Sequence, residues 1–323
     1  MFKQQEFNAY FDDFVREACQ QPVQELIFGT TGYATNGNIR LYYEMQSPKK
    51  EVKSTVLLIS RNANTLLFWP QSFIQSFLDA GYRVVRFDHR GIGMSDLVLD
   101  WTKKTAFTLE DMAGDAMAVL NALNIDKAHI IGASMGGMIA QRFAYLFPNA
   151  TLSLCSIMSS GYFFDPEFKG LNKAIQKRLR SVFIGFLSAK NDFRKQIKMH
   201  LAERQLWVGK GLYSLDLKRF FNEVSYEIKH RNGYHRKSFE KHVSAIRKSG
   251  SMLKKLKEIH VPTLIIHGED DALIPIEHAK KYVDCLKDVK SYYLSGMGHD
   301  FQYPYLTPIS NRILDFYLTS GNQ

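Results

Sequence analysis

Three residues far apart in the chain, Ser134, Asp271 and His299, could together turn an ordinary alcohol into a nucleophile. A serine hydroxyl is weak near neutral pH unless a base takes its proton. An imidazole serves as that base best when a third group fixes its tautomer and orientation. Ser134 lies in Gly132-Ala-Ser134-Met-Gly136, a G-x-S-x-G pattern with an apolar run before it and a helix-like run after it. A tight strand-to-helix turn would lift the hydroxyl out of a sheet, and small residues at 132 and 136 would let the backbone close around it. The helix start would place its positive dipole end, and the Met135 N–H, beside developing negative charge. A phosphate-binding loop would need G-K-[ST] here, and none follows.

The acid and the base come later. The segment Leu264-Ile-Ile-His-Gly-Glu-Asp-Asp-Ala-Leu-Ile-Pro275 leads from an apolar strand into three acids. Asp271 has the favoured spacing, three residues after Gly268 and four before Pro275, whereas Glu269 and Asp270 read as solvated loop acids. His299 sits in Ser295-Gly-Met-Gly-His299-Asp, a glycine-flanked loop suited to bringing a mobile imidazole over the serine. The other histidines fit less well: His267 lies inside a strand, His129 begins the nucleophile strand, and His89 falls in an early loop. His200, His230, His235 and His242 fall in a middle block, and His260 and His278 flank the acid strand. Serine, acid and histidine occur in one of the known chain orders for such a set. They are 137 and 28 residues apart, each at a strand end.

These positions require a sheet, and the chain reads as one. Two short β-like runs flank Asn36-Gly37, a hairpin signal. Residues 55–60 form an apolar run typical of a strand buried on both faces. A helix over 70–80, a strand over 82–88, a helix from Thr108 to about 123, a strand over 129–132, a helix over 135–147 and a strand over 152–158 follow. Thr108-Leu-Glu-Asp111 resembles a helix-start box. From about 161 to 257 the pattern changes to helical, basic and aromatic sequence. After Pro262 a strand over 263–267, a helix over 276–285, a strand over 291–294 and a helix over 303–318 restore the alternation. Such alternation indicates a parallel sheet covered on both faces. Phe7, Phe11, Phe14 and Ala18 recur on one face of a helix over 2–18, expected to pack on the body.

The bulk numbers narrow the class. The 323 residues are 45% hydrophobic, enough to bury a sizeable core without disulfide staples. Three cysteines, Cys19, Cys155 and Cys285, show neither paired nor zinc-ligand spacing, so no metal is expected. No apolar run reaches the length of a membrane span, and acids interrupt the first 25 residues, so a cytoplasmic location is expected. The net charge of +10 is uneven: residues 161–259 hold 23 Lys and Arg against 9 acids, a net of +14, and the rest carries −4. That charge reads either as a solvated helical face or as attraction for an anionic substrate, surface or partner. No nucleic-acid motif accompanies it, so no nucleic acid is expected as partner.

On these residues the sequence resembles the α/β-hydrolase fold superfamily over about residues 25–318. Phe87-Asp88-His89-Arg90-Gly91-Ile92-Gly93-Met94-Ser95 is similar to that family's D-x-R-G-x-G-x-S loop after the fourth strand. The resemblance implies an α/β fold, a mostly parallel sheet with helices on both faces and a helical cap inserted before the acid-bearing strand. Its implied divisions are an N-terminal extension (1–24), a core (25–160 and 258–323) and a cap (161–257). Its implied catalytic residues are Ser134, Asp271 and His299, in a capped serine esterase of the methylesterase-like branch. One departure stands out: where the family usually has His-Gly after the third strand, this chain has Ser60-Arg61-Asn62-Ala63-Asn64. Backbone N–H groups act there, so Asn62 is the expected second oxyanion donor beside Met135. Arg61 carries two readings, a guanidinium that binds a substrate carboxylate or phosphate, or one side of a structural ion pair.

The function expected is hydrolysis of a carboxylic ester through an acyl-enzyme, on a small substrate that the basic cap allows to be anionic, by a monomer or homodimer without cofactor. Other reactions of the same triad remain open: thioesterase, lipase, C–C hydrolase, acyltransferase or perhydrolase. Dehalogenase and epoxide-hydrolase chemistry is disfavoured because those relatives carry Asp at position 134. A non-catalytic receptor for a small ligand is the alternative of a different kind.

Overall fold

A computed structural model describes residues 13–320 apart from 100, 103–104, 169–170, 172, 190–191, 212–215, 233–235 and 302. Eight strands form one sheet: β1 (Thr30–Asn36), β2 (Ile39–Gln46), β3 (Ser54–Ile59), β4 (Tyr82–Phe87), β5 (Ala128–Ala133), β6 (Thr151–Ile157), β7 (Thr263–Gly268) and β8 (Val289–Leu294). Their spatial order is β1-β2-β4-β3-β5-β6-β7-β8. The β1–β2 hairpin turns at Asn36-Gly37, β2 pairs antiparallel with β4, and the pairs from β4 onward are parallel. The order reverses between β3 and β5, the switch point at which the C-terminal ends of parallel strands open a crevice. The loops after β3 and β5 both empty there.

Helices cover both faces. Helices α1 (Gln71–Asp79) and α9 (Tyr303–Thr319) pack on one side. On the other lie α2 (Leu109–Ala122), α3 (Met135–Leu146) and α8 (Ile276–Val283). All six residues of β5 are buried, with Ile130 facing one core and Ile131 the other. A strand covered on both faces must read as continuous apolar sequence, as β3, β5 and β7 do. The start box expected at Thr108 is present: its hydroxyl accepts from Asp111 N–H at 3.1 Å, and the Asp111 carboxylate accepts from Thr108 N–H at 2.7 Å.

Between β6 and β7 the chain makes four helices, α4 (Lys173–Ser188), α5 (Phe193–Trp207), α6 (Leu217–His230) and α7 (Arg236–Ser249). No strand lies between 161 and 257 among the described residues. Of the N-terminal helix expected over 2–18, residues 13–18 are helical and the rest, with Phe7 and Phe11, lie outside the described residues. This stretch packs on the inserted helices, not on the sheet: Val15 is buried with Ile197, Leu201, Phe220 and Phe221. Among the described residues no helix is long and apolar enough to cross a membrane.

Candidate active site

The turn after β5 has an unusual backbone geometry. Ser134 has φ 55° and ψ −119°, a conformation that costs a non-glycine residue on the order of 1–3 kcal/mol. Neighbours hold it there. Its N–H donates to Ile157 O at 2.9 Å, and its carbonyl accepts from the Ser159 hydroxyl at 2.7 Å. The flanking glycines are needed for space. A Cβ on Gly132 would sit 2.1 Å from Gly136 O, and one on Gly136 would sit 2.1 Å from Ile59 O.

The three candidate residues meet. His299 Nδ1 lies 2.7 Å from Asp271 Oδ2, and His299 Nε2 lies 2.9 Å from Ser134 Oγ. Asp271 Oδ1 accepts from the N–H groups of Leu273 and Ile274 at 2.9 and 2.7 Å, so the carboxylate is fixed at both oxygens. An ionised carboxylate only accepts, so the imidazole proton sits on Nδ1 and the Nε2 lone pair faces the serine hydroxyl. All three are buried, with Ser134 the most exposed at 8%.

The loops carrying the acid and the base are shaped from outside. His267 Nε2–H donates to Ile274 O at 2.8 Å and closes the loop around Asp271. The glycine before His299 provides room as well as freedom, since a Cβ on Gly298 would meet Trp207 O at 2.1 Å. The end of α5 therefore rests on the histidine loop. Gly211 N–H donates to Gly296 O at 2.9 Å, and Lys210 N–H donates to Asp270 Oδ2 at 2.9 Å. Asp270 is thus a bonded neighbour of the inserted segment, not a solvated loop acid.

Beside Ser134, Met135 occupies the first position of α3, where an N–H has no carbonyl one turn back to bond. Asn62 lies in the loop after β3 on the wall of the same cavity, and its buried Oδ1 has no hydrogen-bond partner among the described residues. Arg61 also lines the cavity. Its guanidinium bonds Asn64 Oδ1, lies 3.8 Å from Glu203 and covers the Phe68 ring at 5.4 Å. The ion pair that the sequence left open is therefore present.

The cavity measures about 450 Å³ and is walled by core and insertion together. Core loops supply Ser134, Met135, Asn62 and His299, and the insertion supplies Phe163, Leu179, Phe183, Trp207, Phe239 and Ile246. Its charged side chains have opposite partners: Arg204 meets Asp300 at 3.0 Å, and Arg219 meets Glu223 at 2.6 Å. Glu227 accepts from the Thr65 hydroxyl, and burial pushes its carboxyl up to about 8. By contrast, Lys173, Lys177, Arg178 and Arg180 on α4 are exposed.

The loop after β4 is a scaffold. Asp88 accepts from Leu66 N–H and Met94 N–H, both at 2.8 Å, and pairs with Arg231 of the insertion. Arg90 forms a two-pronged pair with Asp115, both bonds 2.6 Å. Among the described residues no group of His, Cys, Asp and Glu could hold a metal ion.

The sequence profile of the alpha/beta hydrolase fold family matches residues 55–304. The chain belongs to this family. Similar relatives of this hydrolase include a 2-hydroxy-6-oxo-6-phenylhexa-2,4-dienoate hydrolase of Comamonas testosteroni, 27% identical over 246 residues, 75% of this chain and 79% of that protein. Rhodomycin D methylesterase DnrP of Streptomyces peucetius is 23% identical over 284 residues, 83% of this chain and 92% of the relative. The esterase EaEST of Exiguobacterium antarcticum superposes with a TM-score of 0.69 at 18% identity, covering 90% of this hydrolase and all of that structure. The last likeness speaks for the fold alone.

Proposed function

We propose that this hydrolase cleaves a carboxylic ester through an acyl-enzyme on Ser134. The observation that carries the reading is the continuous chain Asp271–His299–Ser134, at 2.7 and 2.9 Å, opening on the cavity walled by core and insertion. Ser134 Oγ attacks the ester carbonyl while His299 Nε2 takes its proton, and Asp271 stabilises the imidazolium that forms. The N–H groups of Met135 and Asn62 receive the oxyanion. The imidazolium gives its proton to the leaving alcohol, then deprotonates a water that releases the acid and restores Ser134. Helices 173–249 act as the cap, and their aromatic side chains set which acyl and alcohol groups fit. The pairing of charges inside the cavity favours an uncharged substrate body, with the basicity of the cap directed outward. Arg61, shared with Glu203, meets a polar group of the substrate in this reading.

A panel of p-nitrophenyl esters of varied chain length and charge tests this. Wild type should turn over the neutral aromatic or medium-chain members, and Ser134→Ala should not. Failure of wild type on every ester would remove the reading. A second reading has one specific support, the 27% identity to a hydrolase of 2-hydroxy-6-oxo-6-phenylhexa-2,4-dienoate. Cleavage of a vinylogous 1,5-diketone faster than any ester would favour C–C bond hydrolysis on the same triad.

A further inference from the structure

We infer that His242, on the inserted helix α7, is a positioning residue that holds the oxyanion loop and ties its geometry to the fit of the substrate. The inference rests on the proposed role of the Asn62 N–H. His242 is fully buried. Its Nε2 lies 2.9 Å from Arg90 O, which can only accept, so Nε2 carries the proton. Nδ1 is therefore a bare lone pair, and it accepts from Ala63 N–H at 3.2 Å. Burial pushes this imidazole down to about 3, which keeps that acceptor available at ordinary pH.

Ala63 is the residue that needs such an anchor. Its φ is 54°, a left-handed conformation uncommon for alanine. It directly follows Asn62, so a twist there re-aims the neighbouring N–H. A second histidine secures the near side of the loop: His89 Nε2–H donates to Ser60 O at 2.9 Å, and the two rings meet edge to face at 5.7 Å. His89 belongs to the core, whereas His242 belongs to the insertion. Phe239, Val243 and Ile246, spaced as one face of the same helix, line the cavity. A substrate that seats α7 correctly therefore also seats the acceptor behind the oxyanion turn.

The test compares His242→Asn, His242→Gln and His242→Ala. The Asn amide oxygen falls near the Nδ1 position and can accept from Ala63, whereas the Gln amide falls near Nε2 and can serve only Arg90. His242→Ala should lower kcat about 10- to 100-fold, less than the loss of an oxyanion donor itself, with KM changed less than about threefold. Asn should restore most of kcat, and Gln should not. Ser238→Ala removes another anchor of α7, the bond to Gly91 O, without touching Ala63, and should leave kcat near wild type at a comparable melting temperature. The rate of Ser134 labelling by a fluorophosphonate should follow the same order, independently of which substrate the enzyme uses. Equal rates for Asn, Gln and Ala, or an effect confined to KM, would overturn the inference. Wild type that labels at Ser134 in the predicted variant order but cleaves no ester would overturn the ester reading and leave this one standing. Wild type that fails to label would overturn both.

Discussion

The strand ends and the inserted helices build the site by different means. At the strand ends the backbone does the positioning: Ser134 is held by Ile157 O, and Asp271 by two N–H groups. In the insertion, side chains reach across long separations, as Thr65 does to Glu227 and Asp88 to Arg231. Backbone positioning fixes chemistry but offers little variety. Side-chain positioning leaves the shape of the cavity free to change while the chemistry stays put. Substitutions in the first region should therefore lower kcat, and those in the second, His242 excepted because it reaches the oxyanion loop, should mostly redistribute substrates.

The largest expected effect tests the first half of that contrast. Asp271→Asn keeps the shape but reverses the hydrogen bond to Nδ1, and kcat should fall roughly 10³- to 10⁴-fold with KM little changed. A drop below tenfold would mean that the acid does not orient His299. Next comes acid lability. Burial lowers His89, His129 and His200 to about 4 and His242 to about 3. At these four sites the unfolded chain binds more protons below pH 6.5, so their contribution to stability is complete above that pH and is lost as pH falls toward 4. The slope is roughly 1.4 kcal/mol per pH unit for each histidine. Thermal melts should therefore show a lower midpoint at pH 5 than at pH 7. A flat profile would contradict neutral burial.

Gly136→Ala should destabilise by about 3 kcal/mol or more, because the new methyl meets backbone at Ile59, not a side chain that can turn aside. Phe239→Ala, by contrast, should raise KM for a bulky ester about tenfold, as expected when one apolar contact is lost, and leave kcat for a small acetate ester close to wild type. A matching collapse of kcat on both substrates would erase the distinction between the regions. The last effect concerns Glu227. Its carboxyl is raised from 4.5 to about 8, so the folded state keeps a proton the unfolded chain releases, and stability falls as pH rises through that window. Glu227→Gln should therefore show no gain at pH 4.5 and gain on wild type as pH rises toward 8, by up to roughly 1.4 kcal/mol per pH unit.

The same contrast explains what could be read from the sequence. Ser134, Asp271 and His299 were legible because each follows an apolar strand, and parallel strands bring their ends to one edge. The Asn36-Gly37 hairpin and the Thr108 start box were legible for a similar reason, being encoded within a few residues. His242 reads as one histidine of a basic block, and Glu227, Arg204 and Trp207 carry no local signal. Their partners are set by how four helices dock, which no local period records. One cue was present: His242 falls on the apolar face shared by Phe239, Val243 and Ile246, where a lone imidazole needs a partner. The glycines near His299 read as a source of mobility, and the approach of the Trp207 carbonyl was invisible without the insertion in place.

The account turns on Ser134 being an activated nucleophile. The most direct measurement is intact mass and peptide mapping after treatment with a fluorophosphonate, on wild type and Ser134→Ala. One adduct per chain on the Ser134 peptide, absent from the variant, is the predicted result. An unmodified wild type, or equal modification of Ser134→Ala, would contradict it.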